Sequence, residues 1–425
     1  MQMHLLVNGL HNMDKNQITI IGAGIMGLSS GINLLKRGAD VTLIERDFKG
    51  QPASYGNASW LSSPSITPVL MPGPGMIKKI LKMWLSKDGP LYLRFPGILK
   101  SLPYLIKYLS FVKKEKVEHI SKNLAFLLKD SIGEHKKLTE GSKASRWIEA
   151  SPYIYIYKNK SDFENEEFTW GLRKKHGFNL IPLKENELKK TIPGLSEDYR
   201  FAIKIENQGY ISNSQNYLDD LIEHFKNLGG KTIEDEVLDI QKENNSFLIK
   251  MKKNNHVTEK VLVCSGVFSD KFAKQYKINV PVESERGYHL ELFGTNIRIN
   301  HPIANGYLKL AITPRPTGIR FAGLVEFGSL NSKPNPKAFE LLMRNAKAMF
   351  PGITFEKKME WSGHRPSTVD SLPVIGPSDT DNNIFFAYGH HHIGLTAGPK
   401  TGKIISKVIL RDNDQDDLKA FNPYR

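Results

Sequence analysis

Residues 17–46 read QITIIGAGIMGLSSGINLLKRGADVTLIER, and no other stretch restricts the fold as strongly. A short β-branched run ends in glycines, apolar residues then recur at helical spacing, and Gly38 stops the helix before a second β-branched run. This pattern predicts strand, tight turn, helix and strand, the opening of an α/β fold with a parallel sheet. Gly22, Gly24 and Gly27 stand at the strand-to-helix junction in the spacing GxGxxG. The first permits the turn, the second lets the backbone approach a pyrophosphate, and the third lets helix and strand pack closely. Ile25 and Met26 open the helix, whose N–H groups and partial positive charge favour such an anion. Glu45 closes the second strand about 20 residues on, where a carboxylate accepts bonds from ribose hydroxyls. Its negative charge disfavours a 2′-phosphate, which leaves NAD or FAD.

The 425 residues suffice for one large or two interleaved domains. No run reaches roughly the 18 uninterrupted apolar residues that a membrane span requires. The leader 1–16, MQMHLLVNGLHNMDKN, has neither a basic start nor a secretory apolar run and reads as a loose extension, with Met13 an alternative start. A single cysteine, Cys264, excludes an internal disulfide framework and cysteine-based metal clusters, and makes the cytoplasm the default compartment. The formal charge of +15 fits nucleic acid, an anionic membrane surface or acidic substrates. The lysines are spread along the chain without a nucleic-acid motif, so no nucleic-acid partner is expected. The densest basic stretch, Met76 to Lys116, interleaves lysine with Leu, Ile, Trp, Tyr and Phe. It reads either as two ordinary amphipathic helices broken at Pro96 and Pro103, or as a surface for peripheral contact with the inner face of a membrane.

Later motifs bear on the nucleotide. After Arg46 comes GQPASYGNASWLSSP, Gly50 to Pro64, a long loop without periodicity of the kind that usually serves function. Ser54, Asn57 and Ala58 within it, with Arg46 before it, are candidates for wrapping an elongated cofactor. NHVTEKVLVCSGVFS, Asn255 to Ser269, reads as a strand ending at Ser265 and Gly266, a second close approach to the same nucleotide. The C-terminal part carries WSGHRPSTVDSLPVIGP and then NIFFAYGHHHIGLTAGPKTGKIISKVI.

With these four motifs in order, the chain resembles the FAD-dependent amine and D-amino-acid oxidoreductases over nearly its whole length. That superfamily includes D-amino-acid dehydrogenase, glycine oxidase and sarcosine oxidase, and the dehydrogenase branch is the most similar. The resemblance implies non-covalent FAD and a Rossmann-like FAD-binding domain with an interleaved α+β substrate domain containing a large mixed sheet. Residues 17–73, 206–280 and 360–412 would form the first, residues 74–205 and 281–359 the second. Val237, in EDEVLDI, falls where the family's backbone meets adenine.

The run His390, His391, His392 is unsuited to a metal, because consecutive strand residues point to opposite faces and no acidic or cysteine cluster stands nearby; no metal is expected. A phosphate loop fails as well, with Ala397 where the first glycine of GxxxxGK[ST] belongs and Ile404 where the hydroxyl belongs. The segment reads instead as strand, turn and helix, the helix N-terminus offsetting negative charge on a reduced flavin. In the family this turn passes along the flavin, which makes Gly389, His390, Gly394, Leu395 and Thr396 cofactor contacts. His391 and His392 face the substrate or are satisfied structural histidines.

An arginine fork binds a carboxylate through paired hydrogen bonds. The resemblance gives that role, toward substrate and beside the cofactor, to Arg365 of GHRP; the other reading pairs Arg365 with Asp370 to pin the loop. Where glycine oxidase has a second arginine, this chain carries His392, which leaves substrate size and class open. In ESERGYHLEL, alternation puts Arg286 and Tyr288 on one face, as pocket residues or as ordinary sheet residues. The implied reaction is oxidation of a small carboxylate-bearing amine, a D-amino acid first, by hydride transfer to flavin, giving an imine and then a 2-oxo acid. Secondary-amine substrates (sarcosine, a hydroxyproline isomer) or glycine are the alternative, and a nucleic-acid-associated flavoprotein is an alternative of another class. The electron acceptor, a quinone or oxygen, stays open.

Overall fold

The computed structural model describes residues 17–72, 76–86, 89–95, 97–328, 330–412 and 417–425; the expected leader, the boundary at residues 73 and 74, and Pro96 lie outside the described residues. The strand Gln17–Ile21 lies between Asp40–Glu45 and Lys260–Val263, parallel to both. Lys231–Glu234 and Ile384–Tyr388 extend this sheet in parallel, and antiparallel Val374–Pro377 closes a six-stranded order. Its inner strands are apolar on both faces because both are covered. Ile18, Ile20, Val41, Leu43 and Leu262 pack with helices, while the alternate residues Ile21, Ile44, Val261 and Val263 pack on Ile240, Phe247 and Ile249 of a three-stranded antiparallel sheet.

The helices Ile25–Leu35 and Gly394–Leu410 meet through glycine. A Cβ on Gly398 would lie 2.6 Å from Ile25 Cγ1, and one on Gly402 would lie 2.5 Å from the Ser29 carbonyl carbon. The C-terminal helix begins at Gly394 and runs through Pro399. Proline has no N–H, so the carbonyl of Leu395 loses its helical donor. Buried His135 takes that place: its Nε2 donates to Leu395 O at 2.9 Å, while its Nδ1 accepts from the Tyr217 hydroxyl at 2.6 Å.

Two β-rich stretches divide. TIEDEVLDI splits because the Asp235 carboxylate takes the N–H groups of Glu236, Lys253 and Asn254, turning the chain from the parallel sheet into the antiparallel one. Asn255–Thr258 and Lys260–Val263 likewise belong to different sheets. Pro103 does not break its helix but lies inside Ile98–Leu109.

A nine-stranded mixed sheet forms the other large element. Its long strand Val282–Phe293 pairs with Gly318–Phe327 and with Lys357–Thr368, so the boundary expected at residue 360 falls inside a strand. One face, with Tyr288, Leu290, Leu292, Ile319 and Phe321, packs on the helix Pro336–Met349. The alternate residues Glu285, Gly287, His289 and Glu291 face the other way, toward the loop after Glu45.

Burial holds the His135 pKa down at about 4, so the folded protein keeps it neutral while the unfolded chain takes up a proton near pH 6.5. This contribution to stability is complete above pH 6.5 and is lost as the pH falls toward 4. His135→Leu is expected to destabilise the protein near pH 7 by about 1–3 kcal/mol for each buried group left unpartnered, and to flatten that acid-side decline. Urea unfolding across the pH range checks both.

Candidate active site

At the nucleotide end, Gly22 adopts φ +104°, and a Cβ there would lie 2.8 Å from the Cys264 carbonyl oxygen and 3.0 Å from Ser265 Cα. Only glycine allows this approach, which brings Ser265 and Gly266 against the GxGxxG turn. A Cβ on Gly27 would collide with Gly22 O at 1.9 Å. Glu45 Oε2 accepts from Ala23 N at 2.8 Å and Oε1 from Arg46 N at 2.9 Å, so the carboxylate ties the turn to the following loop. Arg46 lies over the Phe268 ring, 4.5 Å from its centroid. A cleft of about 200 Å³ opens beside these groups, lined by Ala23, Glu45, Arg46, Gly50, Gln51 and Gln215 among others. Val237, at the start of Val237–Glu243, packs on the core that holds Ile240 and Phe247.

The loop expected to wrap the cofactor forms the short helix Ala53–Gly56 and then runs to Trp60. Ser54 Oγ accepts from Ile25 N at 3.0 Å and would lie 3.3 Å from a Cβ on Gly24. Both residues thus stand at the helix N-terminus, where the glycine leaves room for a diphosphate. Asn57 braces the loop internally, donating to Ser54 O and accepting from Ser59 N. The large sheet grips the loop's carbonyls. Arg320 Nη1 donates to Tyr55 O at 3.0 Å and Asn57 O at 2.9 Å, His289 Nδ1 donates to Gly56 O at 2.8 Å, and Thr313 Oγ1 donates to Ala58 O at 2.5 Å. Glu291 neutralises Arg320 at 2.7 Å and Arg315 at 3.1 Å. Burial and the neighbouring Arg320 push the Arg315 pKa down to about 10.

Further along the same face, Arg365 stands directly across from Glu285. Its Nη1 donates to Glu285 Oε1 at 2.8 Å and to Leu324 O at 3.1 Å. The expected alternative of an Arg365–Asp370 pair is corrected here: Asp370 binds Arg425 through two hydrogen bonds of 2.7 and 3.0 Å, which leaves Arg365 to Glu285. Glu285 is 7% exposed, and Ser367 Oγ donates to its other oxygen at 3.1 Å. Burial, the largest influence, pushes its pKa up, yet Arg365, His391 and His392 outweigh it and hold the carboxyl below the ordinary glutamate value.

Arg286 and Tyr288 do share a face, as alternation requires, but it is the opposite one. The Tyr288 hydroxyl donates to Glu326 at 2.9 Å and accepts from Asn335 N, Arg286 lies 3.7 Å from Glu326, and both are buried. Their pocket reading gives way to the sheet reading. Leu290 and Leu292, two and four residues beyond Tyr288, mark that face as core and so point to Glu285 as the pocket-side residue.

The three histidines diverge. His390 Nε2 meets Thr401 Oγ1 at 3.1 Å, and burial followed by the influence of His391 holds its pKa near 3. His391 Nε2 accepts from Thr368 N at 2.9 Å. His392 is exposed beside it. Gly389, at φ +83°, has no room for a Cβ, which would meet Thr368 Cγ2 at 2.6 Å. A Cβ on Gly394 would lie 3.9 Å from Met26 Cε, so the two helix N-termini adjoin. Thr396 Oγ1 donates to Trp60 O and accepts from Ser62 N, pinning the loop to the C-terminal helix, while Leu395 meets His135.

This assembly offers an anion cradle at one end and a paired arginine and carboxylate at the other. The family described as FAD dependent oxidoreductase matches residues 17–408. The chain is 32% identical over 420 residues to the D-amino-acid oxidase of Bradyrhizobium diazoefficiens, covering 97% of this chain and 99% of that one. It is 22% identical over 400 residues to a D-amino acid dehydrogenase of Helicobacter pylori, covering 93% and 95%. The crystal structure of glycine oxidase from Geobacillus kaustophilus superposes with a TM-score of 0.73 at 18% identity, covering 96% and 98%.

Gly24→Val places side-chain bulk against Ser54 at the cradle, and the purified protein is expected to be colourless and unable to take up FAD. Gly171→Ala, where a Cβ meets nothing within 4 Å, is expected to stay yellow. Visible absorbance and released flavin per chain provide the measurement.

Proposed function

Because the chain belongs to the FAD-dependent oxidoreductase family, we propose that it oxidises a small amino acid, a D-amino acid first, at the carbon that bears the amine. The observation that carries this reading is Arg365, a partly buried guanidinium on the sheet face that also grips the loop after Glu45. Gly287 bears no Cβ, which would otherwise lie 2.3 Å from Arg365 Nη2, so the guanidinium packs directly on the strand backbone while its side chain stays 21% exposed to a ligand. Bound FAD supplies the acceptor for the hydride. The chain's own residues would hold the parts in place: Gly24, Ile25, Met26 and Ser54 would receive the diphosphate and Glu45 the ribose, while Arg365 would fix the carboxylate so that the neighbouring C–H is aimed. The amine leaves as an imine, and hydrolysis gives a 2-oxo acid and ammonia. The expected division into a discontinuous FAD domain and a substrate domain follows the two large sheets, with strand Lys357–Thr368 assigned to the substrate side.

A second reading concerns the electron acceptor. No helix among the described residues is long and apolar enough to cross a membrane. The helix Ile98–Leu109 nevertheless exposes Leu99, Leu102, Ile106 and Leu109 at helical spacing, and Leu81, Trp84, Leu85 and Phe95 are exposed nearby in the chain. Lys100 and Lys107 flank that stripe. We propose that this surface rests on an anionic membrane and delivers electrons to a quinone. Sedimentation with anionic vesicles at low salt is expected to carry the protein down, with Leu99→Ser/Ile106→Ser left in the supernatant. A wild-type protein that stays in solution overturns this reading.

Anaerobic addition of D-amino acids, their L forms, sarcosine, glycine and hydroxyproline isomers tests the donor, since bleaching of the flavin by one class identifies it. The rate of recolouring on admitting air separates oxygen from other acceptors. Arg365→Ala is expected to keep its FAD and lose most of kcat/KM for the carboxylate-bearing donor, about a hundredfold or more for a charge-assisted pair. Full activity in that variant overturns the role given to Arg365.

A further inference from the structure

Arg365 is already neutralised before any ligand arrives. Glu285 lies 2.8 Å from its Nη1, and Ser367 holds the other carboxylate oxygen, so the pair is built into two neighbouring strands. Such a site carries an arginine for a carboxylate together with a carboxylate that repels one. A simple anion entering beside Arg365 meets Glu285, whereas a zwitterion presents one charge to each.

We infer that Glu285 is the second half of the substrate site, receiving the ammonium of an amino acid whose carboxylate lies on Arg365. The inference rests on the reading of Arg365 given above. The geometry suits it, because Glu285 adjoins the partly exposed Arg365 guanidinium, and the amine of an amino acid is one carbon from its carboxylate. The groups that face Glu285 are Arg365 and Ser367 from Lys357–Thr368, and His391 and His392 from the turn before the C-terminal helix; Tyr104 and Tyr108 of Ile98–Leu109 also feel its charge. Held below the ordinary glutamate range, Glu285 is a counter-ion and not a base. It selects the charged amine and takes no proton from it; the ammonium releases one proton to water before the hydride leaves the neighbouring carbon. Oxidation removes that positive charge once the imine hydrolyses. The 2-oxo acid then has a carboxylate near Glu285 and no ammonium to answer it, and the repulsion favours its release.

The test compares ligands with and without an amine on the FAD-loaded protein. Propionate and pyruvate, titrated by calorimetry and by flavin absorbance, are expected to bind Glu285→Gln about tenfold or more tightly than wild type, the factor that relief of a like-charge contact gives. D-Alanine, titrated by anaerobic bleaching, is expected to bind the same variant more weakly. A purely structural Glu285 would move both affinities in the same direction or neither, and that result overturns the inference. If Glu285→Gln fails to fold, Glu285→Asp, whose shorter carboxylate draws back from Arg365, is expected to shift the propionate to D-alanine ratio the same way by a smaller factor; an unchanged ratio again overturns it. Arg365→Ala separates the two claims. Loss of propionate binding there with no change in Glu285→Gln removes only the role of Glu285, whereas retained propionate binding in Arg365→Ala removes the reading on which it rests.

Discussion

One buried guanidinium anchors the loop after Glu45 to the nine-stranded sheet. Arg320 is 0% exposed, and its donors reach Glu291, Tyr55 O and Asn57 O, with the hydroxyls of Ser59 and Ser214 at 3.3 and 3.4 Å. The loop from Ala53 to Ser59 needs it, because that backbone runs buried between sheet and nucleotide turn with carbonyls that no ladder satisfies. Lysine has neither the number nor the fork of donors required. Removing Arg320 would leave Glu291 with Arg315 alone and the Tyr55 and Asn57 carbonyls without this donor, about 1–3 kcal/mol for each buried group left unpaired. The loop's Ser54 in turn meets the N–H of Ile25, so the position of the nucleotide cradle depends on a residue of the other sheet.

The same sheet face is organised by pairs of opposite charge along one strand. Glu285 and Glu291 stand on the same side of Val282–Phe293, with Gly287 and His289 between them, and each is answered by arginine from a neighbouring strand. The two pairs differ in exposure. Arg320 is sealed and serves the loop, whereas the Arg365 side chain is 21% exposed. The same chemistry is a fastener at one end of the strand and, in the reading proposed above, a receptor at the other. Gly287 admits the second guanidinium, since a Cβ there would collide with Arg365.

The nucleotide half was legible in the sequence because its signals are local. GxGxxG, the β-branched runs and Glu45 all lie within one βαβ unit, where spacing alone implies geometry. The sheet face was less so. Arg286 and Tyr288 look more functional than Glu285 when read as residue types, but Leu290 and Leu292 share their side and commit it to the core. Arg320, Arg315 and Thr313 carry no local mark, because their importance lies in reaching carbonyls 104 to 265 residues away in the chain, a relation that only the fold creates. The divided strands failed for a related reason: Asp235 turns the chain by gathering N–H groups from both sides of a hairpin, and periodicity does not register such a capture.

The histidine run shows how position decides what one side chain does. His391 adopts φ +46°, an unusual conformation for a residue with a Cβ, and that turn sends successive imidazoles in different directions. His390 goes inward to Thr401 and His391 to the Thr368 backbone, each kept uncharged mainly by burial, while His392 remains at the surface. Their hydrogen bonds fasten the turn beside Arg365. The positive potential there comes first from Arg365 and from the N-terminus of Gly394–Leu410, whose first turn is tied by Thr396 to Trp60 and Ser62. That helix can be both close to the site and rigid because Pro399, which should weaken it, is answered by His135. Charge at the site is thus concentrated in one ion pair and one helix terminus, and the histidines that first draw attention in the sequence hold those two in register.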